Sequence, residues 1–267
     1  MNWAVETTIW LCTALALLVL QALTFAVARR LGRYNVVDVI WGAGFALVAL
    51  IAAGLGDGSL NRRILLLVLV TLWGLRLSYY MLRRTAGHGE DPRYADLLSR
   101  HGDSPVSAFT RIFLTQAVAQ WVISLPLQVS AAAGPTRGPG RAAVVAGVLL
   151  WGVGVFFEAL GDRQLARFKS DPANRGRIMD RGLWSWTRHP NYFGDFCVWW
   201  GLWLVAAAAW PGVLTVFAPV IMSYLLIRGT GARLLEHTMA DRPGYREYQR
   251  RTAPFFPRPP RRAGHDH

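Results

Sequence analysis

The residues with the clearest chemical potential are Arg188 and His189, which directly precede Pro190. Proline is favoured in the first turn of a helix, so the pattern predicts a helix that begins at Pro190 with both cations beside its positive end. These two potential cations repel each other when both are charged unless an anion lies between them, and a phosphate or carboxylate is the natural occupant. The alternative is a turn that Trp184 and Trp186 anchor at the lipid headgroups.

Carboxyl and amide groups recur at a spacing of four residues, which places each pair on one helical face. The pairs are Glu158 with Asp162 and Asn191 with Asp195. The first pair falls at the predicted end of an apolar run, where acids oppose the helix dipole and need a cationic partner such as Lys169, or a ligand. Both pairs are therefore candidates for contacting polar parts of a ligand.

Two ionisable residues, Asp38 and Arg76, fall inside apolar runs. Charged groups within membrane spans are costly, usually face a protein interior and often belong to a functional site. For Asp38, the alternative is an interfacial residue that pairs with Arg33 or with Arg76.

A further polar group lies near the C-terminal end, where Arg233 and His237 share one helical face with Glu236 beside them. Taken alone, a histidine in this position is more typical of a membrane interface than of a catalyst. No cluster of His, Cys, Asp and Glu has zinc-like spacing, and the chain has neither a P-loop nor a Gly-x-Gly-x-x-Gly turn. The sequence therefore predicts no metal, and any nucleotide would be bound without a Rossmann motif.

The elements that position these residues are apolar runs. The chain is 53% hydrophobic and 17% charged, against roughly 25% charged residues in soluble domains. A helix needs about 20 apolar residues to cross a bilayer. These runs predict an all-α fold, a polytopic membrane helical bundle with about seven transmembrane helices. The predicted spans are Thr7–Ala28, Val36–Gly56, Ile64–Leu82, Ile112–Ala132, Ala142–Leu160, Tyr192–Ala209 and Pro211–Ile227.

The charge distribution predicts the orientation of these spans. Lysine and arginine number 24 in the loops and tail on one side and 4 on the other, which places the N-terminus outside and the C-terminus in the cytoplasm. The net charge of +13 does not form a single stripe, so it predicts membrane lipids rather than nucleic acid as the partner. The expected location is the cell inner (plasma) membrane, as a multi-pass protein.

The chain divides into three predicted regions. Residues 1–111 form an N-terminal three-helix membrane region, residues 112–257 a C-terminal membrane region, and residues 258–267 a basic disordered tail. Between the third and fourth spans, the polar stretch 87–94 is either a lid over a binding site or a solvated turn.

The segment Glu158–Pro257 resembles the steroid 5α-reductase superfamily, in particular its uncharacterised bacterial membrane branch. Isoprenylcysteine carboxyl methyltransferases share a similar Arg-His-Pro-x-Tyr turn, so the resemblance indicates the fold better than the reaction. The motifs that carry the resemblance are Asp162 before a basic turn, the run Arg188–Asp195, Trp199, Arg233 with His237, and the tail from Tyr248 to Pro257.

The resemblance implies an NADPH site that opens to the cytosol, from which a hydride passes to the β-carbon of an enone. It places Asp38 at the position of a catalytic acid and Trp73 where the family has a tyrosine. An indole can donate a hydrogen bond but cannot deliver a proton, so protonation would fall to Asp38 or to water. The cofactor contacts implied by motif position are Arg76, Glu158, Asp162, Lys169, Arg188, His189, Asn191, Arg233 and His237.

Three functions remain open on the sequence. The first is an NADPH-dependent reductase of a carbon–carbon double bond in a hydrophobic, lipid-like enone such as a steroid or isoprenoid. The second is a membrane methyltransferase that uses S-adenosylmethionine, with Glu158 and Glu236 as acidic partners. The third is a non-catalytic lipid-binding relative, which the tryptophan at position 73 keeps under consideration.

Overall fold

The computed structural model describes residues 2–102, 104–229 and 231–260. Within these residues the chain is helical, with no strand and one isolated β-bridge between Thr187 and Ala253. Six helices are long and apolar enough to cross a membrane, which confirms the predicted all-α, polytopic membrane helical bundle. They are Trp3–Leu31, Val36–Leu55, Leu60–Thr85, Pro105–Ile123, Gly140–Ser170 and Gly212–Met239.

The chain forms two compact units, one comprising Met1–Val145 with Leu202–Ala218 and the other Ala146–Gly201 with Pro219–His267. The early helices are α1 (Trp3–Leu31), α2 (Val36–Leu55), α3 (Leu60–Thr85), α4 (Pro92–His101), α5 (Pro105–Ala108), α6 (Thr115–Ile123) and α7 (Leu125–Ala131). The later helices are α8 (Gly140–Ser170), α9 (Pro190–Ala207), α10 (Phe217–Tyr224), α11 (Ala232–Met239) and α12 (Tyr245–Arg251). Two π-helical turns, Phe109–Leu114 and Leu225–Gly229, and three 3₁₀ turns, Pro172–Asn174, Gly182–Ser185 and Gly212–Val216, join or extend them.

The first unit packs its helices around small and amide residues. A Cβ atom added at Gly42 on α2 would lie 2.1 Å from the carbonyl oxygen of Gly74 on α3, so the two backbones meet directly. On the buried face of α1, Thr13 donates to Gln128 Oε1 at 2.9 Å and Gln21 donates to Gln120 Oε1 at 2.9 Å. Small residues and side-chain amides of this kind hold membrane helices together where the surrounding lipid is as apolar as leucine.

A buried charge of the first unit, Arg62, lies in the first turn of α3. Its side chain is 3% exposed. Its guanidinium donates to the carbonyl oxygens of Ser130, Ala133 and Gly134 at 3.1, 2.7 and 2.9 Å, and to the hydroxyls of Ser130 and Thr136 at 2.8 and 3.0 Å. Arg62 thereby binds the carbonyl end of α7, where a cation is favoured by the helix dipole.

In the second unit, α8 and α9 run antiparallel along a seam of glycines. A Cβ atom added at Gly194 would lie 2.5 Å from the carbonyl oxygen of Gly154, and one added at Gly154 would lie 2.6 Å from that of Gly194. Further along, a Cβ atom at Gly201 would lie 2.6 Å from the carbonyl oxygen of Gly147. The seam therefore excludes every side chain at these positions, since real Cβ atoms do not approach backbone so closely.

Replacing Gly194 by Ala tests this contact. The added Cβ must push α8 and α9 apart, and overpacking of this kind costs about 1–3 kcal/mol. We expect a lower unfolding midpoint in detergent, measured by circular dichroism. Gly152→Ala on α8 is the matched control, because a Cβ there meets nothing within 4 Å and alanine favours a helix by about 1 kcal/mol over glycine. Equal midpoints in the two variants would contradict the tight seam.

The structure differs from the predicted spans in three places. Helix α8 continues to Ser170, because Leu165 and Phe168 keep an apolar face and no proline occurs before Pro172. The fourth predicted run breaks at Ser124, with Pro126 in the first turn of α7. The predicted sixth span is the 18-residue helix α9, which is not among the six candidate spans of the described residues. From residue 261 on, the predicted disordered tail lies outside the described residues.

Candidate functional site

The turn before α9 is fixed by bonds to three other parts of the second unit. Trp184 Nε1 donates to the carbonyl oxygen of Gly161 at 3.0 Å, and Tyr248 Oη donates to the carbonyl oxygen of Trp184 at 2.6 Å. Thr187 Oγ1 donates to the carbonyl oxygen of Phe255 at 2.7 Å. These bonds set where α9 begins, and it begins at Pro190 as the sequence predicts.

The anion predicted between Arg188 and His189 is a carboxylate of the same chain. Glu236 on α11 places Oε1 3.1 Å from Arg188 Nε and 3.1 Å from His189 Nε2. The Arg188 and His189 side chains are only 9% and 2% exposed, whereas that of Glu236 is 23% exposed. Glu236 of the same chain therefore lies against both Arg188 and His189, and its partial exposure shows that solvent reaches it.

Aromatic residues surround this ionic group. The His189 ring stacks on Tyr192, with centroids 5.6 Å apart and planes 10° apart. Burial, reinforced by the charge of Glu236, raises the pKa of Tyr245 to about 12. The phenol of Tyr245 is therefore neutral at physiological pH.

A second polar cluster lies on the facing surfaces of α8 and α9. Glu158 and Asp162 are each 3% exposed and Asp195 is 9% exposed. Asn191 Nδ2 donates to Asp162 Oδ1 at 3.4 Å. Because α8 extends to Ser170, these acids lie well inside the helix, and the expectation that Glu158 and Asp162 mark its end is wrong. A position at the end of the helix therefore does not explain why Glu158 and Asp162 are buried.

The other predicted contacts of the second unit are exposed. The side chains of Lys169, Arg233 and His237 all lie at the surface. The structure thus brings Arg188 together with His189, and Asn191 together with Asp162, but leaves these three cationic positions on the outside of the unit.

In the first unit, Asp38 accepts hydrogen bonds at both carboxyl oxygens. Tyr94 Oη on α4 donates to Asp38 Oδ1 at 2.5 Å, and Arg93 Nη2 lies 3.2 Å from Asp38 Oδ2. Arg93 also binds the carboxylate of Asp91 at 2.9 Å. Arg93 therefore pairs with Asp38, whereas Arg33 donates to the carbonyl oxygens of Thr85, the last residue of α3, and of His88 in the following loop.

The two remaining predicted residues of this unit lie on α3. Trp73 is fully buried, with its ring centroid 5.9 Å from that of Phe45. Arg76 lies three positions further along the helix and is partly buried.

The polar stretch 87–94 is tied to the start of α2. The carboxylate of Glu90 accepts hydrogen bonds from the backbone N–H groups of Tyr34 and Asn35. Asn35 Nδ2 in turn donates to the carbonyl oxygen of Gly89 at 2.9 Å. An acidic group at this place satisfies unpaired donors and complements the helix dipole. The stretch is therefore bonded to the start of α2 while Gly87, His88 and Gly89 remain exposed, and both the lid and the solvated turn stay predictions.

The sequence did not predict the contacts that Tyr94, Arg93 and Glu236 make in these clusters. Tyr94 and Arg93 are separated from Asp38 by more than fifty residues, and no local spacing links them. The available signal was the apolar face of α4, where Tyr94, Leu97 and Leu98 recur at helical spacing and predict that Tyr94 points inward. Glu236 was noticed beside His237, but nothing in the sequence pairs it with Arg188.

Comparison with known proteins gives two matches. The family model described as "Protein of unknown function (DUF1295)" matches residues 24–252. An uncharacterised protein of the fission yeast Schizosaccharomyces pombe is 28% identical over 231 residues, which cover 77% of this chain and 66% of the yeast protein. The chain therefore matches just under two thirds of the length of that relative. No solved structure matches the chain.

Proposed function

The chain belongs to the DUF1295 family of proteins of unknown function, and on this premise we propose that it is an integral-membrane, NADPH-dependent reductase of a carbon–carbon double bond in a hydrophobic enone. The substrate class is a steroid- or isoprenoid-like lipid. The proposal includes membership of the steroid 5α-reductase superfamily and a location in the cell inner membrane.

The observation that supports an active site is the buried polar cluster of the second unit. Glu158, Asp162, His189 and Asp195 are each at most 9% exposed within a largely apolar, membrane-embedded unit. Burying ionisable groups without a use for them is expensive, and such residues in membrane proteins by default suggest a functional site.

The groups in this unit suit different parts of a dinucleotide. Carboxylates such as Glu158 and Asp162 accept hydrogen bonds, so they fit the hydroxyl groups of a ribose or the amide of a nicotinamide. The exposed cations Lys169 and Arg233 fit phosphates. Arg188 and His189 already share Glu236, so a phosphate there would add to or replace that carboxylate.

When bound, NADPH would supply a hydride to the β-carbon of the enone. The protein would exclude water from this step through its apolar surroundings and supply a proton from the acid group at Asp38. The proposal assigns NADPH binding to the cofactor contacts predicted from the sequence, including Arg76 on α3.

The methyltransferase alternative has a specific weakness in the observed contacts. S-adenosylmethionine carries a sulfonium and an amino group, which need free carboxylates. Glu236, one of the two acids expected to meet them, is already bound by Arg188 and His189.

Calorimetry on the purified full-length chain in detergent tests the proposal. We expect binding of NADPH and none of S-adenosylmethionine. Arg233→Ala should weaken NADPH binding about 10- to 100-fold, because a hydrogen bond to a charged group contributes about 1.5–3 kcal/mol.

The matched control is Arg242→Ala, which removes the same charge from another exposed position of the second unit and should change the affinity less than twofold. Binding of S-adenosylmethionine alone would replace the reductase by the methyltransferase. Binding of neither cofactor would favour the lipid-binding relative.

A further inference from the structure

The charge of the buried pair before α9 is balanced by an acid from another helix. The side chains of Arg188 and His189 are 9% and 2% exposed, and Glu236 Oε1 lies 3.1 Å from a nitrogen of each. An arginine keeps its charge in proteins, and a buried charge is costly unless an opposite charge lies against it. The second unit therefore needs an anion at this position, and Glu236 supplies it from α11.

Glu236 balances the charge of this pair without satisfying its hydrogen-bonding groups. Arg188 Nε is buried and lies at ion-pair distance from Glu236, yet it makes no hydrogen bond to any residue that the structure describes. His189 Nδ1 is likewise buried and has no hydrogen-bond partner in the described part of the chain. Such buried, unpartnered nitrogen atoms are unusual in proteins. A phosphate group, which brings several acceptor oxygens, offers partners that one carboxylate oxygen does not.

The helix that carries Glu236 is lightly attached to the rest of the second unit. Ala232 is the buried residue of α11, whereas Leu234 and Leu235 are exposed. The helix packs mainly against the π-helical turn Leu225–Gly229, which precedes it in the chain. The ion pairs of Glu236 therefore tie a largely exposed helix to the start of α9, and breaking them disturbs few other contacts.

We propose that Arg188 and His189 form an anion-exchange site, in which a phosphate group of a ligand displaces Glu236 and releases α11. The phosphate does not add beside the carboxylate, because two negative groups close together repel each other strongly where little water screens them. The displaced carboxylate moves into solvent, which already reaches its side chain. The ligand class is a phosphate monoester or a diphosphate. Its identification as NADPH rests on the proposed function, under which the diphosphate of the cofactor is this anion.

Glu236→Gln tests the competition in the full-length chain in detergent. Glutamine has nearly the same shape but no charge, so the variant should bind inorganic pyrophosphate about 10- to 100-fold tighter than the wild type in calorimetry. The matched control is Glu247→Gln, which removes the same charge from an exposed position on α12 and should change the affinity less than about twofold. Equal affinities of Glu236→Gln and the wild type would overturn the proposal.

Hydrogen exchange of the wild type is a second measurement that needs no variant. Pyrophosphate should speed the exchange of backbone amides in Ala232–Met239 about fivefold or more over potassium chloride of equal ionic strength, because α11 is released. The amides of α9 should keep their rates. Unchanged or slower exchange in α11 would contradict the displacement, since a phosphate that bound beside Glu236 would hold the helix in place.

Neither measurement uses NADPH or turnover, so the exchange site and the reductase can fail separately. A response of α11 to pyrophosphate in a chain that does not bind NADPH would retain the exchange site and overturn the proposed cofactor. Binding of NADPH without any response of α11 to pyrophosphate would overturn the exchange site and leave the reductase standing.

Discussion

Asp38→Asn is expected to lower steady-state turnover of an enone at least about 100-fold, because an amide cannot donate the proton that the proposed reduction takes from Asp38. The amide keeps an oxygen that can accept from Tyr94 Oη, now 2.5 Å from Asp38 Oδ1, so the surrounding structure should persist. The measurement pairs NADPH oxidation with calorimetric NADPH affinity, which should change less than threefold.

The control for this variant is Asp96→Asn, which makes the same change on α4 at a side chain that is 58% exposed and pairs with Arg100. Its turnover should equal that of the wild type. Undiminished turnover in Asp38→Asn would show that Asp38 does not take part in the reaction. An equal loss of turnover and of NADPH affinity would indicate that Asp38 has a structural role.

Arg62→Leu should be the most destabilising change outside the proposed site. Leucine removes every donor that now reaches the carbonyl oxygens of Ser130, Ala133 and Gly134. Each buried acceptor left without a partner costs about 1–3 kcal/mol, and the losses overlap, so we expect about 3–5 kcal/mol in total. Unfolding by SDS titration of the protein in mixed micelles measures this free energy.

Arg141→Leu provides the comparison, since Arg141 lies exposed in the first turn of α8 and its loss should change the free energy of unfolding by less than about 0.5 kcal/mol. If the two leucine variants unfold at the same SDS fraction, the bonds of Arg62 contribute nothing to stability.

Local patterns predicted the features that depend on local physics. The length of the apolar runs determines whether a helix can cross a bilayer, so the first three spans were located to within a few residues. Pro190 begins α9 as predicted, because proline is tolerated where the first N–H groups of a helix have no partner. The need for an anion between Arg188 and His189 was likewise a local electrostatic argument, and Glu236 meets it.

Contacts between distant residues were not predictable in the same way. Glu236 lies 47 residues beyond His189, and Tyr94 lies 56 residues beyond Asp38, so neither pair leaves a periodic signal. The end of α8 was misplaced because charged residues after Asp162 resemble a loop in composition, although Leu165 and Phe168 sustain the helix. Composition therefore underestimates the length of a helix that continues beyond its apolar run.

The direct backbone contact between Gly154 and Gly194 limits how the second unit can change shape. Val198 lies beside Gly154 and Glu158 beside Gly194, so sliding one helix along the other would press these side chains against the facing main chain. Rotation about either axis meets the same obstacle. Any rearrangement that admits a ligand between the two helices must therefore spread them apart sideways, and a bulky bound molecule would hold them in that separated state.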